Sequence, residues 1–208
     1  MKKLVAIVLC LVLVMGICYV AMANNTTINF SKNDVVPMLK LTSPAFNNGD
    51  LIPDKYAEGG AVSPPLEWQF VPKGTKSFAL AITDPDVPAY FNFPRNFAHW
   101  MIYDIPETAT SLDEGISPGG TLPEEIMEAK TDAQLFGLAP GYFGPWPPTT
   151  ETHRYVFTLY ALKVDVGELG LSEESTYDEF VSKVVPQTIS SATLIGLYGP
   201  AKTEMFGD

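Results

Sequence analysis

Cysteine is nearly missing from this 208-residue chain: there are two, Cys10 and Cys18, and both lie in an apolar run at its start. On a helix, eight positions separate them by about 12 Å, beyond the reach of a disulfide. Leu9 and Ile17 precede them where a lipid-attachment site would want a small residue. The rest of the chain has no disulfide, so a buried core must hold it. Histidine is equally scarce, with only His99 and His153. No His-Glu-x-x-His spacing is present and no serine sits in a nucleophile-elbow sequence, which removes common signatures of zinc hydrolases and serine esterases. Positive charge is in short supply: 13 lysines and arginines against 24 acids leave a formal net charge of −11. Such a surface repels phosphate backbones, so nucleic acid is not an expected partner. Long helical patterns and internal repeats are also absent. Eighteen prolines and sixteen glycines instead break the chain into short apolar runs, the mark of a mainly β protein with few short helices.

What is there begins with Lys2 and Lys3, an apolar run from Leu4 to Val20, and the small-residue triplet Ala21-Met22-Ala23. This reads as a signal peptide over residues 1–23, cleaved before Asn24. An uncleaved membrane anchor is the alternative, because the run is at the length needed to span a bilayer. Either way the expectation is export: a periplasmic or extracellular domain, tethered if the segment is retained. Residues 24–38 are polar and aperiodic, a tether. Residues 39–208 are then one domain, long enough to bury about 70% of its unfolded surface.

Three near-continuous apolar runs predict central strands covered on both faces: Ser77 to Thr83, Ala98 to Ile105 and Tyr155 to Leu162. A fourth strand is expected over Leu194 to Tyr198. Two helices are expected. One runs from Leu122 to Ala133; the other, Thr176 to Val185, opens on a capping box of Thr176 and Glu179 and is stopped by Pro186.

The chemistry-bearing residues adjoin these strands. Asp84-Pro85-Asp86-Val87-Pro88 follows the first, His99-Trp100 opens the second, and Gly144-Pro145-Trp146-Pro147-Pro148 leads through His153-Arg154-Tyr155 into the third. Strict alternation would point His99 and Trp100 to opposite faces and put His153 and Tyr155 on one. Arg154 would point elsewhere, toward an acid. If the segments converge, Asp84, His99, Gly144, Pro145, His153 and Tyr155 form one small polar pocket. Asp86 and Pro88 would orient its loop, and Trp146, with the Tyr90-Phe91-Asn92-Phe93 segment, its rim. A carboxylate beside His99 would favour the imidazolium, which can receive phosphate oxygens. Gly144 would let a ligand approach the main chain, and Tyr155 would add a hydroxyl donor.

These segments carry a resemblance. Together with Ser63-Pro64-Pro65-Leu66-Glu67-Trp68 and Gly74-Thr75-Lys76-Ser77-Phe78, in this order from Leu41 to Tyr198, the chain resembles the phosphatidylethanolamine-binding proteins, in their bacterial and archaeal Raf-kinase-inhibitor-like branch. The resemblance implies a large antiparallel sheet packed on a smaller one. It also implies a pocket of the residues named above for a small anion or a phosphorylated head group, with no cofactor, no metal and no catalytic residue. Two other functions stay open. A protein target such as a secreted protease could be inhibited, or the Asp/His pocket could support weak hydrolysis. Two departures bear on the ligand: Trp146 stands where prokaryotic relatives often carry cysteine, and Glu151 adds negative charge beside a site for anions.

Overall fold

In the computed structural model, the residues described are 38–200, apart from 59, 60, 92 and 94. The expected leader and nearly all of the expected tether lie outside them. In chain order the strands are β1 (Lys40–Thr42), β2 (Leu66–Gln69), β3 (Ser77–Asp84), β4 (Phe97–Pro106), β5 (Ser111–Leu112), β6 (Met127–Glu128), β7 (His153–Leu162) and β8 (Thr188–Tyr198), with helix α1 (Tyr177–Val184) between the last two. All strand pairs are antiparallel. They make a three-stranded sheet, β1-β2-β5, and a five-stranded sheet, β6-β4-β3-β7-β8.

The core between the sheets is built by alternation. Leu41, Leu66 and Trp68 face Phe78, Leu80, Ile82, Trp100, Ile102, Phe157 and Leu159, all buried in one cluster. The other face of the large sheet carries Ala79, Ala81, Met101 and Tyr103, covered by Phe180 and Val184 of α1. With both faces covered, β3 is buried at every position and β4 at all but its last. This is why those runs are continuously apolar. The expectation fails for β7. Its outward residues, from Arg154 to Tyr160, are exposed or half-buried, so it alternates.

Helix α1 starts on the capping box read from the sequence: Thr176 accepts from the Glu179 amide, and Glu179 from the Thr176 amide. The expected helix over Leu122–Ala133 is absent. Met127 and Glu128 pair as β6 with Tyr103 and Ile102, and Asp132 opens a 3-10 turn to Phe136. Distant partners decide this segment. The Glu128 carboxylate accepts from the Trp100 indole and the Ser117 hydroxyl, and Asp132 binds the Arg95 guanidinium and the Ala98 amide. The last strand is also longer than expected. It begins at Thr188 because β8 pairs with β7 almost throughout, although its half-polar N-terminal part has no apolar run to announce it.

Candidate functional site

The site is at one end of the large sheet, where β3 finishes and β4 and β7 begin. Asp84 is opposite Phe97, and Thr83 opposite Val156. Asp84 and His153 therefore arrive side by side from two neighbouring strands. One Asp84 oxygen accepts from the Asp86 amide at 2.7 Å, closing the turn, and the other contacts His153 Nδ1 at 2.7 Å. Both side chains are buried. Asp86 turns away and clamps Arg154, accepting from its backbone amide at 2.9 Å, its Nε at 2.8 Å and its Nη2 at 2.6 Å. This ties the loop after β3 to the start of β7.

The second ring nitrogen of His153, Nε2, is 3.1 Å from Glu151 Oε2. The imidazole thus bridges two carboxylates. Burial works against charge on His153, but the hydrogen bonds to Asp84 and Glu151 outweigh it and hold its pKa above the ordinary histidine value.

His99 behaves in the opposite way. The β3–β4 register slips between Ile82/Trp100 and Thr83/Ala98, leaving His99 as the extra residue of a bulge. The bulge overturns strict alternation: His99 packs edge-on against Tyr155 at 5.1 Å, on the same side of the sheet as Trp100 rather than the opposite one. Its Nδ1 is 2.8 Å from the Phe143 carbonyl, so Nδ1 carries the proton and Nε2 remains an acceptor. Burial drives its pKa below the ordinary value, only partly offset by that carbonyl. The expected imidazolium is therefore His153 and not His99, because Asp84 reaches the former.

Together Asp84, His99 and His153 lie in the wall of an open pocket of about 180 Å³, completed by Val87, Pro88, Pro147, Pro148 and a set of aromatic rings. Phe143 stacks on His99 at 5.4 Å with 14° between planes, and Phe97 tilts against it at 4.9 Å. Trp146 stands at the mouth, 57% exposed, next to Phe143. Phe91, Phe93 and Phe136 complete the apolar wall.

Three expected residues are not in that wall. Gly144 is buried behind it: a Cβ there would meet Ala61 Cβ and the Tyr56 carbonyl, each at 2.7 Å. Its lack of a side chain thus serves packing. Pro145 is buried, and its carbonyl accepts from the Glu58 amide. Tyr155 is fully buried under His99. Among the described residues its hydroxyl has no hydrogen-bond partner, and burial raises its pKa. Sequence reasoning missed Phe97, Phe136 and Phe143. Phe143 had a signal in its place beside Gly144-Pro145, whereas Phe136 ends a 3-10 turn opened by a Thr131-Gln134 capping box, a local signal that says nothing of a pocket.

Chemically, the site offers one imidazole favoured in its charged form between two carboxylates, one favoured neutral by burial, and apolar rings. Among the described residues, no three histidine, cysteine or acidic side chains converge as a metal ion would require.

Residues 42–199 match the family model described as phosphatidylethanolamine-binding protein. The chain belongs to that family. A UPF0098 protein of Methanothermobacter thermautotrophicus is 37% identical over 162 residues, covering 77% of this chain and 98% of the relative. The Escherichia coli protein YbhB is 36% identical over 140 residues, covering 62% and 84%. Among solved structures, E. coli YbcL, described as a member of the mammalian phosphatidylethanolamine-binding protein family, superposes with a TM-score of 0.69 at 30% identity, covering 78% of this chain and 99% of YbcL. A homologue from Chlamydia trachomatis gives 0.66 at 33%, covering 77% and 97%. Membership in the phosphatidylethanolamine-binding protein family thus rests on sequence and fold together.

Proposed function

We propose that this family member is an exported, non-catalytic binding protein for a small anion, in particular a phosphorylated head group. The observation that carries the reading is His153: a buried imidazole whose Nδ1 meets the Asp84 carboxylate at 2.7 Å, which favours its charged form, at the wall of a pocket otherwise made of rings and prolines. A charged N–H donor in an apolar setting is worth more than one in water, and a guest phosphate oxygen is its natural acceptor. Pockets for drug-sized ligands usually hold 300 Å³ or more. About 180 Å³ suits a head group alone, with the rest of a larger molecule outside. The aromatic mouth, with Phe91 and Trp146 more than half exposed, offers an apolar landing for such a remainder.

A charge-assisted hydrogen bond contributes about 1.5–3 kcal/mol and a millimolar Kd needs about 4 kcal/mol, so millimolar binding takes the imidazolium together with contacts to the surrounding rings. The test is ligand-induced stabilisation. At a millimolar Kd, about 10 mM phosphoethanolamine stabilises by about 1.4 kcal/mol and raises the melting temperature by about 3–5 °C. His153→Ala should abolish that rise; equal rises in both proteins would sink the reading. Export is tested separately by fractionating cells that express the full chain. The domain belongs across the membrane, and recovery of all of it from the cytoplasm would refute this part.

A further inference from the structure

We propose that Glu151 is a resident carboxylate occupying the seat that a guest anion needs, so that it competes with simple anions and favours guests that bring their own cation. The inference rests on the binding reading above and adds a selectivity-determining residue to it. Both N–H groups of the charged His153 ring are taken, Nδ1 by Asp84 at 2.7 Å and Nε2 by Glu151 at 3.1 Å. An incoming anion reaches the ring only by displacing one carboxylate. Asp84 is buried and held twice. Glu151 is different: its side chain is 44% exposed, and among the described residues its one polar side-chain contact is His153.

The backbone beneath Glu151 is fixed while the side chain is not. The Glu151 amide donates to the Pro148 carbonyl at 2.9 Å, and Thr152 Oγ1 donates to the Pro200 carbonyl at 2.9 Å. Gly199 presses so closely that a Cβ on it would lie 2.2 Å from the Glu151 carbonyl. Departure from the seat is thus a side-chain rotation on a pinned loop, which returns rotamer freedom to Glu151.

Charge then decides which guests profit. With Glu151 displaced and a monoanion on Nε2, three negative groups surround one imidazolium, because Arg154 is already committed to Asp86. A bare anion leaves the freed Glu151 unpartnered beside it. A guest with a cation next to its anion gives Glu151 a new partner, and the faces of the surrounding rings attract the same cation.

The test uses the full chain, with inorganic phosphate and phosphoethanolamine as probes, titrated calorimetrically into wild type, Glu151→Ala and Glu151→Gln. Wild type should prefer phosphoethanolamine. In both variants, removal of a half-exposed competitor should tighten inorganic phosphate about three- to tenfold and shrink the preference correspondingly. Affinity for phosphate that is unchanged or weaker in both variants overturns the proposal, and leaves the binding reading standing if His153→Ala still abolishes binding. Failure of both probes to bind any of the three proteins overturns both. A ligand-free measurement is independent of these: the NMR titration midpoint of His153 should fall in the variants, and an unchanged midpoint would mean that the Glu151 contact is not made.

Discussion

Replacing Asp84 by asparagine preserves the shape of the side chain and removes its charge. The amide oxygen can still accept from the Asp86 amide, so the turn after β3 should survive; what is lost is the charged contact with His153 Nδ1 at 2.7 Å. Breaking a buried pair by removing one partner costs about 3–5 kcal/mol, and a single charge-assisted hydrogen bond about 1.5–3 kcal/mol. Glu151 remains beside His153 to share the charge, so the lower range applies, and we expect a loss of about 2 kcal/mol at pH 6. For a domain of this size that is about 4–8 °C in melting temperature.

The loss must depend on pH. His153 has a folded pKa above its unfolded value of about 6.5. The stability it contributes is therefore complete below about pH 6.5 and fades as pH rises through the folded value. His99, with its pKa lowered by burial, acts in the opposite sense, destabilising as pH falls below about 6.5; Asp84 partly offsets that lowering, so its removal deepens the low-pH loss in the same direction as the His153 term. Urea unfolding of wild type and Asp84→Asn at pH 6 and pH 9 should show a larger penalty at pH 6 than at pH 9. Equal penalties at the two pH values, or none at pH 6, would refute the claim that Asp84 holds a charged His153.

Three further predictions concern the frame around the site. Gly144→Ala forces a methyl against Ala61 and the Tyr56 carbonyl, and should cost about 1–3 kcal/mol in urea unfolding. Asp104 is buried with one carboxylate oxygen unpaired among the described residues, and burial raises its pKa; Asp104→Asn should stabilise the fold by about 1 kcal/mol at pH 7, with the gain vanishing as pH falls and the acid neutralises. Asparagine also tolerates the positive φ of 59° found there. Thr176→Ala removes the N-cap of α1 and should cost about 1 kcal/mol, measurable as a shift of the denaturation midpoint with unchanged slope.

The framework was legible where local pattern and tertiary setting agree. The runs that became β3 and β4 are apolar throughout because both of their faces are covered, and the capping box of α1 is closed by neighbours three residues apart. Legibility failed where a distant partner decides. Met127 and Glu128 fit a helical pattern, yet Glu128 answers to Trp100 and Ser117, and Asp132 to Arg95. The site divides in the same way. Asp84 and His153 could be singled out because scarce residue types adjoin strands, but which histidine Asp84 reaches depends on a bulge that leaves no trace in alternation. The charge of Glu151 was visible in the sequence, whereas its seat on Nε2 was not. The aromatic wall was the least readable part, since Phe136, at the end of a 3-10 turn, and Phe143, in a loop, are brought beside Phe97 and His99 only by the folded chain.

The chain carries two histidines, so the imidazole nitrogens of both can be followed in one nitrogen-15 NMR titration with phosphoethanolamine. The account predicts a saturable shift at His153 Nε2 as the guest replaces Glu151, while His99 stays neutral with its proton on Nδ1. Imidazole signals that do not move at saturating phosphoethanolamine, or that move at His99 alone, would contradict it.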